Sequence, residues 1–112
     1  MASRDLVVVG LISGTSADGI DGVVVKLSAT PTFTEVRSLT HHHVPLTGAR
    51  RAAIFEAFDT TRATADVVCR LNFQVGEWFA EAALETIAAA QLRPDQVDVI
   101  ASHGQTIFHD PP

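Results

Sequence analysis

The fold of this chain is decided near its start, by Leu6-Val7-Val8-Val9-Gly10-Leu11-Ile12-Ser13-Gly14-Thr15-Ser16-Ala17-Asp18-Gly19-Ile20-Asp21. Residues 6–12 are apolar and rich in β-branched side chains, which predicts a strand buried on both faces in the middle of a sheet. A dense turn signal follows at 13–19, and residues 20–27, with three consecutive valines, predict a second strand. Because the connection is too short for a crossover helix, we expect the two strands to be antiparallel neighbours.

The remainder of the chain predicts one more strand, two helices and a final strand. A third strand is expected over 33–44, a helix over 49–58, and a short strand over 97–101 that ends at a polar motif. The second helix follows Thr64, a residue suited to cap it. Its apolar positions recur near every 3.6 residues, at Val68, Leu71, Val75, Phe79, Ala82 and Ile87. The predicted order is β-β-β-α-α-β, an α/β class with a mixed sheet and helix packed on a face.

The length and net charge of the chain limit the kinds of function that it can have. The 112 residues allow one domain, and the net charge of −5 argues against nucleic-acid binding and against a polybasic membrane patch. No segment approaches the roughly 20 apolar residues of a membrane span. The single cysteine, Cys69, is interpreted as a small buried hydrophobe in a reducing, cytoplasmic setting. Because the chain stops at Asp110-Pro111-Pro112, soon after a strand, we expect a segment of a larger domain; a complete small α/β domain with a loose tail is the alternative.

The glycine-rich loop, residues 14–21, is the first candidate site. Gly14 and Gly19 permit positive φ and close backbone approach, and consecutive amides with two hydroxyls between the glycines can hold phosphate. Asp18 and Asp21 repel phosphate but can hold Mg²⁺ through water. The loop is not a Walker A motif, because it joins strand to strand and has no Gly-Lys-Ser/Thr. A plain hairpin turn of ordinary turn composition remains the alternative.

The strand-end motif, Ser102-His103-Gly104-Gln105-Thr106, is the second candidate site. Ligands of α/β proteins commonly bind beyond the carboxyl ends of strands. His103, Gln105 and Thr106 offer the mixture of donors and acceptors that sugar hydroxyls need, and Gly104 lets a ligand approach the backbone. A polar strand-to-loop transition, with His103 hydrogen-bonded to backbone, is the structural alternative.

Other polar or glycine positions are interpreted as structural. In the run His41-His42-His43, only His41 and His43 can share a face of a strand, and two imidazoles make a poor zinc site. We therefore expect an exposed strand and no metal site there. Gly76 inside the long helix can mark close packing against a neighbouring element, and Glu77 is expected on the solvated face.

Three segments, in this order, resemble signature motifs of the anhydro-N-acetylmuramic acid kinase family: Gly10–Asp21, Leu71–Ala82, and Ser102–His109 followed by Pro111. The similarity runs over the whole chain. It implies the actin-like ATPase (ribonuclease H-like) fold, with residues 1–112 forming the N-terminal part of the first of two α/β domains and the second domain absent. The general base is expected downstream of residue 112, so the segment alone is expected to be inactive.

The resemblance implies a reaction and its ligands. Family members use ATP to phosphorylate 1,6-anhydro-N-acetylmuramic acid at O6, while water opens the anhydro ring, giving N-acetylmuramic acid 6-phosphate in cell-wall recycling. Mg²⁺ accompanies the ATP, and a homodimer is compatible with the family. The implied ATP-binding residues are Gly14, Thr15, Ser16, Ala17, Asp18, Gly19, Ile20 and Asp21, and the implied sugar-side residues are His103, Gly104, Gln105 and Thr106.

Two other functions stay open on the sequence. One is a non-catalytic remnant or nucleotide-binding module of the same fold. The other is a different actin-like kinase, acting on another sugar or on acetate. Many of those kinases carry an Asp-x-Gly pattern before the first glycines, whereas the stretch from Gly10 to Gly14 has no acid.

Overall fold

The computed structural model describes residues 4–112, which form one four-stranded sheet and two α-helices. The strand order is β3-β2-β1-β4, with β1 antiparallel to β2, β2 antiparallel to β3, and β1 parallel to β4. The mixed α/β class and the antiparallel pairing of the first two strands are confirmed. The elements are β1 (Arg4–Ser13), β2 (Gly19–Ala29), β3 (Thr34–Pro45), α1 (Gly48–Phe58), α2 (Ala65–Ala89), a 3₁₀ turn (Pro94–Gln96) and β4 (Val99–Gln105).

Strand β1 lies inside the sheet, but only one of its faces is covered by the described residues. Val9 and Leu11 are buried in the core, whereas Ile12 on the alternate face is 44% exposed. Side chains alternate across a strand, and the buried apolar residues of α1 and α2 all join the cluster that contains Val9. The prediction of burial on both faces is therefore wrong, because both helices pack on the same side.

Helix α2 lies along the sheet with the face that its periodicity predicts. Leu71, Phe79 and Ile87 are buried in the core cluster. Trp78 and Thr86 are also buried, although the apolar repeat did not include them. The core therefore occupies the space between α2, α1 and one face of the sheet.

Helix α2 approaches the sheet closely at Gly22 of β2. A Cβ added there would lie 2.1 Å from Oγ1 of Thr86, whose hydroxyl donates to the carbonyl oxygen of Ala82 at 2.7 Å. Gly76 has nothing within 4 Å of its would-be Cβ. The prediction that Gly76 marks close packing is therefore wrong, and the glycine that permits contact lies on the strand.

The outward face of α2 is exposed and carries Phe73 and Leu84 as well as charged residues. Glu77 lies there, as predicted. Cys69 is also exposed, so the prediction of a buried thiol is wrong; its position lies off the stripe that packs on the sheet. Among residues 4–112, neither α-helix is long and apolar enough to cross a membrane.

Strand β4 is longer than the sequence predicts. It runs over Val99–Gln105, so the strand-end motif lies mostly inside the strand and not beyond it. Polar residues and a glycine masked this extension, because they weaken the β signal. The motif is thereby fixed by strand pairing with β1.

Candidate functional site

The glycine-rich loop leaves β1 in a tight turn. The amide of Ala17 donates to the carbonyl oxygen of Gly14 at 3.0 Å, and Ala17 is fully buried with φ of +50°. Gly104 is the one glycine with positive φ in the described part of the chain. Gly14 and Gly19 do not use the positive φ that glycine permits, and the strained position of this loop is an alanine.

The tip of the loop presents unpaired donors beside a cation. Within residues 4–112, the backbone amides of Thr15 and Ser16 donate to no protein acceptor. The carbonyl oxygen of Ser16 accepts from the guanidinium of Arg51 at 3.2 Å. Adjacent free amides and a fixed positive charge suit an anion such as phosphate.

The two acidic residues of the loop have different surroundings. Asp18 is exposed, and its Oδ1 accepts only from the Ser16 hydroxyl, at 3.3 Å. Oδ1 of Asp21 lies 2.9 Å from Nδ1 of His43 and 3.6 Å from Nε2 of His41. Asp18 is thus the freer carboxylate. The described residues contain no group of three His, Cys, Asp or Glu side chains arranged to hold a metal ion directly.

Strand β3 explains why residue 19 is a glycine, since a Cβ there would lie 2.8 Å from the backbone carbonyl oxygen of Val44. A Cβ on Gly19 would lie 2.3 Å from Cε1 and 2.4 Å from Nε2 of the His43 ring. His41 and His43 share one face of β3, as predicted, while Nε2 of His42 lies 3.4 Å from Glu85 Oε2 on the helix side. The ring of His43 therefore packs over the base of the glycine-rich loop and contacts Asp21.

A bulge in β4 sets the register of the strand-end motif. Leu11 pairs with Ser102, but Ser13 pairs with Gln105, so β4 contains one extra residue over this interval. Gly104 lies within that interval with φ of +78°, a conformation that glycine adopts without strain. The bulge brings Gln105 directly opposite Ser13.

Gln105 joins the two candidate segments. Its Oε1 accepts a short hydrogen bond from the hydroxyl of Ser13, a residue that is 1% exposed. Its Nε2 donates to the carbonyl oxygens of Gly14 and Thr106, each at 3.0 Å. The glycine-rich loop and the strand-end motif are therefore held side by side.

Two surface pockets border this junction. One, of about 300 Å³, opens between α2 and the end of β4, and includes Asn72 and His103. A smaller one, of about 160 Å³, brings Thr15 of the loop beside Thr106. No hydrogen bond from the His103 side chain is found within residues 4–112, so the alternative in which it bonds to backbone is not observed.

An ion pair ties the two helices together next to this region. Arg50 donates to both carboxylate oxygens of Glu81, at 2.8 and 3.3 Å, and lies over the ring of Trp78. These hydrogen bonds hold the pKa of the Glu81 carboxyl below its ordinary value of 4.5 and raise that of Arg50. The pair positions α1, which carries Arg51.

The family model described as anhydro-N-acetylmuramic acid kinase matches residues 6–112, which is nearly the whole chain. This chain belongs to the anhydro-N-acetylmuramic acid kinase family.

Curated relatives carry the same name. A protein of Caldanaerobacter subterraneus subsp. tengcongensis named anhydro-N-acetylmuramic acid kinase is 47% identical over 108 residues, covering 96% of this chain and 27% of the relative. Namesakes from Bacillus thuringiensis subsp. konkukian and Bacillus cereus are 36% and 35% identical over 104 residues, covering 93% of this chain and 27% of each relative. The chain thus spans about 27% of the length of the relatives that it matches.

In this anhydro-N-acetylmuramic acid kinase family member, two residues at the loop were missed from sequence. Arg51 and His43 both contact the loop, although neither lies in a motif. The sequence gave a weak signal for Arg51, which lies four residues after the helix cap at Thr47. The N-terminal turns of helices often face ligands. His43 gave none, since its contact depends on the pairing of β2 with β3.

Proposed function

We propose that the protein to which this chain belongs is an ATP-dependent kinase of 1,6-anhydro-N-acetylmuramic acid. The observation that carries the proposal is the junction at Gln105, which sets a phosphate-type loop beside a sugar-type motif in a chain of this family. In the proposed reaction O6 takes the γ-phosphoryl group and the bond from C1 to O6 breaks. Water adds at C1 and gives up a proton, and ADP and N-acetylmuramic acid 6-phosphate leave.

The glycine-rich loop, residues 14–21, is the proposed ATP site. Its free amides at Thr15 and Ser16 suit phosphate oxygens, and Arg51 adds positive charge at the same place. Asp18 would hold Mg²⁺ through water, since it is exposed and lacks the histidine partners of Asp21. Bound Mg²⁺ would neutralise charge on the phosphates.

The strand-end motif, with His103, Gly104, Gln105 and Thr106, is the proposed sugar side. The pocket of about 300 Å³ beside His103 is at the lower end of the range for small-molecule sites, which suits one amino sugar. Thr106 lies beside Thr15 in the smaller pocket, so a sugar on this side would be close to the phosphates. Proximity of that kind is the main contribution of an enzyme to phosphoryl transfer.

The proposed fold is the actin-like ATPase fold, with residues 1–112 in the first of two domains. A β3-β2-β1-β4 sheet with parallel β1 and β4 supports it. The general base is proposed to lie outside residues 1–112, because phosphoryl transfer needs groups from several sides at once. A cytoplasmic location is proposed, and the lone thiol of Cys69 suits a reducing compartment.

A substrate panel tests the proposal. The complete gene product is assayed for ADP release with 1,6-anhydro-N-acetylmuramic acid, N-acetylmuramic acid, N-acetylglucosamine and acetate. Sugar-dependent ADP release with the anhydro sugar alone is expected. Release with acetate or a non-anhydro sugar would favour the other actin-like kinases. ATP binding without release on any substrate would favour the non-catalytic module.

A further inference from the structure

We propose that the side chain of Gln105 is a positioning residue for the glycine-rich loop and does not bind the sugar. This inference rests on the proposed function, since it assigns roles within that site. It concerns a residue of the strand-end motif that lines the pocket of about 300 Å³ while its side-chain amide hydrogen-bonds to the loop.

The hydrogen-bonding capacity of the amide carries the proposal. A glutamine side chain offers two N–H donors and two acceptor lone pairs. Both donors are used, on the carbonyl oxygens of Gly14 and Thr106, and one lone pair accepts from Ser13. One lone pair remains, which is too little for the donor-and-acceptor pattern of sugar hydroxyls.

The orientation of the amide is fixed by these partners. Exchanging the amide nitrogen and oxygen of Gln105 would set an oxygen against the carbonyl oxygens of Gly14 and Thr106. The Ser13 hydroxyl, which is 1% exposed, would lose its acceptor. Buried polar groups without partners are costly, so the observed orientation is the stable one.

Gln105 contacts the loop at Gly14, where the loop leaves β1. The carbonyl oxygen of Gly14 accepts from the amide of Ala17 and from Nε2 of Gln105, both at 3.0 Å. These two donors fix the orientation of the peptide unit that contains the free amide of Thr15 and precedes that of Ser16. Loss of Nε2 would therefore disturb the amides proposed to bind phosphate, while His103 and Thr106 keep their places in the two pockets.

Gln105→Glu is the sharpest variant, because it preserves shape and the acceptor for Ser13 but replaces Nε2 with an oxygen. Gln74→Glu is the matched control, since Gln74 is exposed on α2 and its side chain makes no hydrogen bond within residues 4–112. Ser13→Ala removes the hydroxyl that donates to Oε1 of Gln105, and it adds no charge. The complete gene product is used, and titration calorimetry gives Kd separately for MgATP and for the anhydro sugar.

A positioning role predicts that Gln105→Glu weakens MgATP binding and lowers kcat by about tenfold or more, with the Kd of the sugar within about threefold of wild type. Ser13→Ala is expected to act in the same direction with a smaller effect, and it keeps the test available if Gln105→Glu does not fold. Gln74→Glu is expected to match wild type.

Weaker sugar binding with unchanged MgATP binding would overturn the proposal and make Gln105 a sugar ligand. Unchanged binding of both, or equal losses of both with a lower melting temperature, would also overturn it. If the wild type binds MgATP but produces no ADP with the anhydro sugar, the proposed function fails. The MgATP Kd of the variants then still decides the role of Gln105.

Discussion

Replacing Gly22 with alanine tests how α2 packs on the sheet. The new Cβ would lie 2.1 Å from Oγ1, 2.9 Å from Cγ2 and 3.0 Å from Cβ of Thr86, so it cannot be accommodated without movement. Overpacking of this kind costs about 1–3 kcal/mol, whereas alanine in a strand interior gains about 0.5–1 kcal/mol over glycine. We expect Gly22→Ala to lower the local free energy of opening by about 1–2 kcal/mol.

The second half of this prediction is a rescue. Thr86→Ala removes Oγ1 and Cγ2 and leaves only the contact with Cβ at 3.0 Å. Alone it forfeits the hydrogen bond to Ala82, worth about 0.5–1.5 kcal/mol. In the Thr86→Ala background, Gly22→Ala is expected to be neutral or slightly stabilising, which gives a coupling energy of about 1–3 kcal/mol.

Hydrogen-exchange mass spectrometry on peptides from β2 and α2 measures these local free energies. Gly76→Ala is the control, because nothing lies within 4 Å of its would-be Cβ and alanine favours helix. It is expected to stabilise α2. An equal cost of Gly22→Ala with and without Thr86→Ala, or no cost in either background, would refute the packing described for β2 and α2.

Three further predictions use other parts of the structure. Gly104→Ala should cost about 1–2 kcal/mol through its φ of +78° and raise KM for MgATP by moving Gln105; an unchanged melting temperature and KM would contradict this. Asp18→Asn should raise KM for MgATP with little change in melting temperature, because an exposed carboxylate stabilises the fold weakly; equal losses would make Asp18 structural. Arg50 lowers the folded pKa of Glu81 below 4.5, so the stabilisation from this ion pair is present above that pH and is lost as pH falls through the folded value. The melting temperature of Arg50→Ala should therefore depend less on pH below about 4.5 than that of wild type; identical acid slopes would contradict it.

The hairpin of β1 and β2 was predictable because its signals are local. A β-branched apolar run, a turn too short for a helix, and a second apolar run specify two antiparallel strands from neighbouring residues alone. Helix α2 was predictable for the same reason, because its apolar stripe at Leu71, Phe79 and Ile87 repeats within the element. Such periodicities do not depend on the rest of the fold.

The role of each glycine was not predictable, because it depends on what lies opposite. Gly22 is required by Thr86 of α2, and Gly19 by Val44 and His43 of β3. Gly76 is also a glycine inside a regular element, but nothing lies within 4 Å of its would-be Cβ. Sequence reports where a side chain is missing, but only the packed structure shows which atom occupies the space.

The contact between the glycine-rich loop and the strand-end motif was likewise not predictable from the sequence. Ser13 and Gln105 are 92 positions apart, and their contact needs both the parallel pairing of β1 with β4 and the extra residue of the bulge. Composition gave Gln105 as a polar group suited to sugar. The contact of its amide with Gly14 depends on the register and could not be read from composition.

Mass spectrometry of the product most directly tests the central claim that this chain carries the phosphate loop of an anhydro-sugar kinase. The complete gene product is incubated with MgATP and 1,6-anhydro-N-acetylmuramic acid. The expected product has gained one phosphoryl group and one water, with the phosphoryl group on O6, and one ADP forms per sugar. A sugar recovered unchanged while the protein binds MgATP, or a phosphorylated sugar with its anhydro ring intact, would contradict the account.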